Sequence, residues 1–171
     1  MILYHGGTDI IERPEIREPN RGLDFGAGFY TTTNADQAVQ YALRMRDVRQ
    51  RRDKNNAYNA VVSVFEFDLT AASACCDVLQ FSQTNEEWLD FITENRRKTY
   101  SGKQYDIIIG PMADDKVYDV VNLYQVGGYD KEEALKRLKV VKAFNQYVLA
   151  TEKALSYLTF MRYQIEEGNH G

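Results

Sequence analysis

Few side chains in this sequence are equipped for chemistry, and the first of them stands at position 5. The stretch Leu3-Tyr4-His5-Gly6-Gly7 places one of only two histidines after an apolar opening run and before two glycines. An imidazole donates or accepts hydrogen bonds near neutral pH, and the glycines let the chain turn while leaving backbone N–H and C=O groups open to a ligand. Taken alone, His5 reads as a satisfied polar residue at a strand end; the rest of the chain decides whether it belongs to a site.

The other reactive groups are less suited to catalysis. Cys75 and Cys76 are adjacent, which excludes zinc-site spacings and disfavours a structural disulfide, so they read as reduced, packed thiols. A catalytic thiol needs a histidine base, and the second histidine, His170, lies in a Gly-Asn-His-Gly tail expected to fray. Arg44, Arg46, Arg49, Arg51, Arg52 and Lys54 crowd the end of one helical segment. Such a run is ordinarily a solvated helix face, and it is also the one place where an acidic partner or a phosphate backbone would dock.

These residues need elements to position them. Met1-Ile2-Leu3-Tyr4 reads as a short buried strand. Residues 8–27, with Pro14, Pro19, Gly22 and Gly26, form a loop long enough to serve as a binding loop. Phe29-Tyr30-Thr31-Thr32-Thr33 is β-branched and aromatic, hence a strand. Asn34 with Gln37 then forms a capping box for a helix whose apolar positions are Ala38, Tyr41, Ala42, Met45 and Val48. Residues 59–70 nearly alternate and give the clearest strand, with one core face and one partly wet face.

A short strand over 76–81 leads to Thr84 and Glu87, read as a capping box for a helix carrying Trp88, Phe91 and Ile92 and stopping near Lys98. Residues 104–109 form a buried strand closed by Gly110-Pro111. Asp114 or Asp115 caps a helix with an inner stripe of Val117, Val120, Val121 and Tyr124, ended by Gly127-Gly128. Asp130 and Glu133 start a short helix through Leu138, residues 144–150 return as a strand, Thr151 caps a last short helix, and 159–165 fits a strand with helix as its rival. Mixed strands and helices without regular alternation predict an α+β fold with mainly antiparallel pairing.

The totals set further bounds. A chain of 171 residues with 44% hydrophobic content, and with no repeat or composition break, fits one domain spanning 1–171. A net charge of -4 provides no global field toward nucleic acid or anionic membrane. With no apolar stretch of the ~20 residues a membrane span needs, and no charged-then-apolar leader, a cytoplasmic location without membrane contact is expected.

Three separated pieces line up with a known pattern: Leu3-Tyr4-His5-Gly6; Phe25-Gly26-Ala27-Gly28-Phe29-Tyr30 before a helix containing Gln40-Tyr41-Ala42; and Asn145-Gln146-Tyr147-Val148 on a late strand. Their order and context resemble the ADP-ribosyltransferase superfamily, more closely the branch typified by diphtheria toxin and the poly(ADP-ribose) polymerases. That branch carries a histidine, a tyrosine and a glutamate across a split antiparallel sheet. Over nearly its whole length the chain is also similar to an uncharacterised bacterial family of that superfamily. The resemblance implies a split, mainly antiparallel sheet flanked by helices, NAD as substrate and no metal. It gives His5 the nicotinamide-side ribose, the backbone of Gly6 the carboxamide, and Tyr30 and Tyr41 the two faces of the nicotinamide ring, with Thr31 a small residue beside Tyr30. On helical spacing alone, Tyr41 is a core ring with its hydroxyl at the surface.

At the third signature position the resemblance expects glutamate, and this sequence has Gln146. Breaking the nicotinamide–ribose bond builds positive charge on the sugar, which a nearby carboxylate stabilises; a neutral amide holds only the 2'-hydroxyl. Asp24, in the loop entering Tyr30, and Asp114 are placed to supply another acid. Glu152 reads as a first-turn helix residue, and Asp106 as a partner for its surrounding loop. Two functions follow: an NAD-dependent ADP-ribosyltransferase, in the manner of a toxin–antitoxin toxin, modifying a protein or nucleic acid and held by an antitoxin protein; or an NAD- or ADP-ribose-binding module without turnover.

Overall fold

Apolar runs bounded by glycine, proline and asparagine become the strands of one sheet, seen in a computed structural model that describes residues 1–112, 115–139 and 145–167. In chain order the elements are β1 (Ile2–Gly7), β2 (Phe29–Thr32), α1 (Ala35–Arg52), β3 (Ala60–Phe67), α2 (Leu69–Cys75), β4 (Val78–Gln80) and α3 (Glu86–Arg97). There follow β5 (Ile107–Pro111), α4 (Asp115–Gln125), α5 (Lys131–Leu138), β6 (Asn145–Leu149), α6 (Glu152–Leu155) and β7 (Leu158–Glu166). Among the described residues the sheet has seven strands in the order β4-β5-β6-β2-β1-β3-β7, antiparallel throughout except for β4 beside β5. The fold is therefore α+β with a mainly antiparallel sheet and flanking helices. No helix among the described residues is long and apolar enough to cross a membrane.

Cross-strand register sorts the side chains into two faces, because residues directly opposite one another project to the same side. Tyr4 stands opposite Thr32, Thr32 opposite Gln146, and Gln146 opposite Gly110. This face is covered at one end by α1, whose Ala38 and Ala42 pack with Tyr4, Val62 and Val64. At its other end α3, α4 and α5 contribute Trp88, Val117, Val121 and Leu138 to a core that includes Ile108 and Val148. The opposite face carries Leu3, Phe29, Phe65, Ile107, Ile109 and Leu149, packed with Ala154 and Leu155 of α6.

The join between the two halves is thin. β1 meets β3 at six register positions but meets β2 only at Tyr4↔Thr32. The sheet is thus continuous in order and split beside the first histidine.

Several local expectations need correction. The chain over 60–67 has no wet face: Glu66 alone is exposed, since α1 covers one side and the α6 core the other. Its expected continuation to residue 70 is α2, capped by Asp68, whose side chain accepts from the Ala71 amide. The cap of α3 is Asn85 rather than Thr84: Asn85 Oδ1 accepts from the Trp88 amide at 3.0 Å, while Thr84 turns its hydroxyl to Leu138 O. At α1, Asn34 caps the Gln37 amide, but the Gln37 side chain accepts from Thr32 Oγ1 at 2.9 Å instead of closing a capping box. Both cysteines are free, yet only Cys76 is packed; Cys75 is exposed. Of the two expected caps of α4, Asp115 is instead its first residue, while Asp114, the strand start at Phe144 and the tail around His170 lie outside the described residues.

Candidate active site

The split has a definite geometry. Continuing the Tyr4↔Thr32 register would set Gly6 opposite Tyr30, but the ladder stops, and the His5 side chain occupies the gap. Its Nδ1 lies 2.8 Å from the Tyr30 carbonyl oxygen, so Nδ1–H donates and Nε2 is left as an acceptor. Phe29 stacks on the imidazole, with ring centroids 4.5 Å apart and 27° between planes. Burial lowers the His5 pKa below its ordinary value, against an upward pull from the Tyr30 carbonyl, so the ring is neutral at pH 7.

Gly6 has no room for a side chain, since a Cβ there would lie 2.2 Å from the Ala38 carbonyl oxygen. The glycine is what lets α1 settle onto β1. Gly7 differs: a Cβ would meet only the His5 ring, 3.6 Å from Nε2. The unsubstituted backbone of Gly6 and Gly7 lines a cavity of about 210 Å³ together with His5, Thr8, Asp9 and Tyr41, with Ile11 and Met45 as its apolar wall. Tyr41 is 40% exposed, with the Arg44 guanidinium 5.4 Å from its ring centroid. Its ring is therefore a wall of this cavity and not the core ring that helical spacing alone suggests.

The other predicted residues, Tyr30, Thr31 and Gln146, do not line this cavity. Tyr30 is partly buried on the α1 face and locks the incoming loop: its hydroxyl donates to Gly26 O at 2.7 Å and accepts from the Phe25 amide at 3.1 Å. Burial pushes its phenol far above the usual range; the Phe25 bond lowers it, Asp24 raises it, Arg96 lowers it and Tyr41 raises it. Thr31 points to the opposite face, buried, with its hydroxyl donated to Tyr147 O at 2.7 Å. Its role is to tie β2 to β6, and it has no surface to offer a ligand.

Gln146 is 3% exposed, and its side-chain nitrogen has no hydrogen-bond partner among the described residues. A buried amide donor without a partner is uncommon and destabilising. It stands opposite Thr32, on the face shared by Tyr4, Gly6 and Tyr30. His5 leaves the sheet on the other face, and neither Gln146 nor any residue of β2 lines the His5 cavity.

Of the acids near the site in sequence, Asp24 and Asp106 have other partners. Asp24 accepts from Arg96 Nε at 2.5 Å in a largely buried ion pair, with Arg96 also donating to Asn122 Oδ1. That pair fastens the long loop to α3. Asp106 accepts from Thr151 Oγ1 and the Asp77 amide, and the Thr151 bond is the main reason its carboxyl is held below the usual range. Glu152 sits in the first turn of α6. Asp114 lies outside the described residues.

Sequence reasoning named Arg49 within the basic run at the end of α1 but missed Asp9 and the pairing of the two. Asp9 is the one carboxylate among the described cavity-lining residues, and its Oδ2 accepts from Arg49 Nη1 at 2.6 Å. The available signal was the spacing Tyr41, Met45, Arg49, a single i, i+4, i+8 row on α1.

A second cavity, about 490 Å³, lies in the other half between the start of α3 and α5, lined by Ser82, Thr84, Leu138, Lys139 and Asn145 among others. It is larger, but none of His5, Gly6, Tyr30 or Tyr41 borders it.

A family model described as "Protein of unknown function (DUF3990)" matches residues 1–160. The chain belongs to the DUF3990 family. The match takes in β1 with His5, β2 with Tyr30, α1 with Tyr41 and β6 with Gln146. No curated protein and no solved structure matches the chain.

Proposed function

We propose that this DUF3990 protein uses NAD at the cavity between β1 and α1, as a cytoplasmic ADP-ribosyltransferase that modifies a protein or a nucleic acid and is restrained by an antitoxin protein. The observation that carries the reading is that His5, Gly6 and Tyr41, named from separate parts of the sequence, line one cavity. Nicotinamide is a flat ring with a carboxamide, and the cavity offers an aromatic wall, open glycine backbone and a neutral imidazole acceptor. At about 210 Å³ it is smaller than the ~300–1,000 Å³ sites that enclose whole small molecules, so it suits the nicotinamide end, with the remainder of the dinucleotide over the surface.

In the proposed reaction the ribose C1'–nitrogen bond breaks and its electron pair leaves with nicotinamide. An acceptor nucleophile then bonds to C1' and loses its proton. Gln146, whose buried amide nitrogen has no partner among the described residues, is the group that would hold the ribose hydroxyl. The test is incubation with NAD labelled in its adenosine part, together with cell extract. Label transferred to macromolecules, and nicotinamide released in step, supports the reading; neither product, with normal growth on expression, contradicts it.

A second reading, binding without turnover, is favoured by one feature. The signature position holds an amide, and the carboxylate that lines the cavity, Asp9, is neutralised by Arg49. NAD binding without nicotinamide release would select it.

A further inference from the structure

Arg49 ends the α1 row that begins with the cavity residues Tyr41 and Met45. Its guanidinium lies over the Tyr58 ring, 4.5 Å from the centroid, which fixes the plane of the fork. From there Nη1 donates to Thr8 Oγ1 at 2.5 Å and to Asp9 Oδ2 at 2.6 Å. Thr8 and Asp9 both line the His5 cavity, so an oriented cation stands directly behind its wall. The pair is open to solvent, with 44% of the Arg49 side chain and 64% of the Asp9 side chain exposed. An ion pair so exposed stabilises a fold little, and exchanging its partner disturbs the fold correspondingly little.

We propose that Arg49 is the phosphate-recognising residue of this site, and that the Asp9 carboxylate is an internal stand-in for a phosphate oxygen. The inference rests on the NAD reading above. A ring seated between Gly6 and Tyr41 leaves the rest of the dinucleotide outside a cavity this small, where its pyrophosphate meets the guanidinium next to Thr8 and Asp9. Arginine presents a planar fork of donors to phosphate, and a dianionic pyrophosphate competes well with one carboxylate. Thr8 remains bonded to the guanidinium while Asp9 is displaced. Asp9 then selects for ligands whose charge is sufficient to release it, which nicotinamide lacks.

Calorimetric titration of the whole chain with NAD, ADP-ribose and nicotinamide tests this. Arg49→Gln is expected to weaken NAD and ADP-ribose about tenfold or more, the range of a lost bond to a charged group, and to leave nicotinamide affinity unchanged. Arg52→Gln, which removes the same charge from the exposed end of the same helix, is expected to leave all three within about twofold. Asp9→Asn is expected to tighten NAD and ADP-ribose, because it removes the competing carboxylate. Unchanged NAD affinity in Arg49→Gln overturns the inference, as does a parallel loss of nicotinamide affinity. Wild-type protein that binds neither NAD nor nicotinamide overturns the NAD reading itself, and this inference with it.

Discussion

The Nδ1 of His5 lies 2.8 Å from the carbonyl oxygen of Tyr30, across a gap where the two strands that carry these residues have stopped pairing. A side chain thus takes the place of a ladder bond, and the sheet opens beside a neutral imidazole. The fold therefore depends on the protonation state of that ring. The His5 pKa is lowered mainly by burial, so below its ordinary value of 6.5 the unfolded chain binds a proton that the folded chain refuses. Stability from this group is complete above about pH 6.5 and falls as the pH drops through the window beneath it, by at most about 1.4 kcal/mol per pH unit. His5→Gln keeps an amide donor but does not titrate. Urea denaturation from pH 7 to pH 5 should show the advantage of wild type over His5→Gln shrinking; a constant or growing advantage contradicts the assignment.

The two adjacent glycines should respond oppositely to alanine. At Gly6 the added methyl meets the Ala38 carbonyl oxygen at 2.2 Å, so α1 or β1 must move, and a loss of about 2–3 kcal/mol is expected in chemical denaturation. At Gly7 the methyl makes an ordinary contact 3.6 Å from His5 Nε2, so stability should change by less than about 1 kcal/mol. Gly7→Ala should nevertheless weaken NAD binding, because it fills the space in front of the acceptor nitrogen. Equal stability losses in the two variants count against the close contact between Gly6 and the Ala38 carbonyl.

Asp24 is a fastening residue. Removing it leaves Arg96 largely buried without its carboxylate, which costs roughly 3 kcal/mol for pairs of this kind. Asp24→Ala should lower the denaturation midpoint strongly and reduce any NAD turnover only in proportion to the folded fraction. Wild-type stability with abolished turnover assigns Asp24 to the chemistry instead.

How much of this was legible in the sequence depended on whether the signal was local. Asn34, Asp130 and Thr151 cap their helices as their types predict, and Lys98 ends α3 in the left-handed conformation. Thr84 and Asn85 compete for one helix start, and tertiary contact with Leu138 decides against Thr84. α2 was hidden because Asp68-Leu69-Thr70 extends the apolar run of β3, although an aspartate before Ala71 and Ala72 is a cap signal. At the site, His5, Gly6 and Tyr41 were found through motif resemblance and meet at one cavity. The partners of Asp24 and Asp9 were not, because Arg96 lies 72 residues from Asp24 and Arg49 lies 40 residues from Asp9. No periodicity relates positions so far apart.

Gln146 separates stability from function. Its side-chain nitrogen is buried without a partner among the described residues, so Gln146→Met, close in shape and without the amide, should be neutral or stabilising in thermal denaturation. The same variant should weaken NAD binding if the amide serves the ribose. Gln146→Glu buries a carboxylate and should destabilise the fold at neutral pH while raising NAD hydrolysis. A faster Gln146→Met enzyme contradicts the proposed role.

The central claim is that nicotinamide enters the cavity lined by His5, Gly6 and Tyr41, and the most direct measurement is NMR of protein labelled at histidine. The chain has two histidines, so two sets of imidazole signals report on it. Titration with NAD should move the His5 signals saturably and leave those of His170 in place; Tyr41→Ala should abolish the shift, and excess nicotinamide should compete for it. His5 signals that stay fixed at saturating NAD, or that move equally in Tyr41→Ala, contradict the assignment of this cavity.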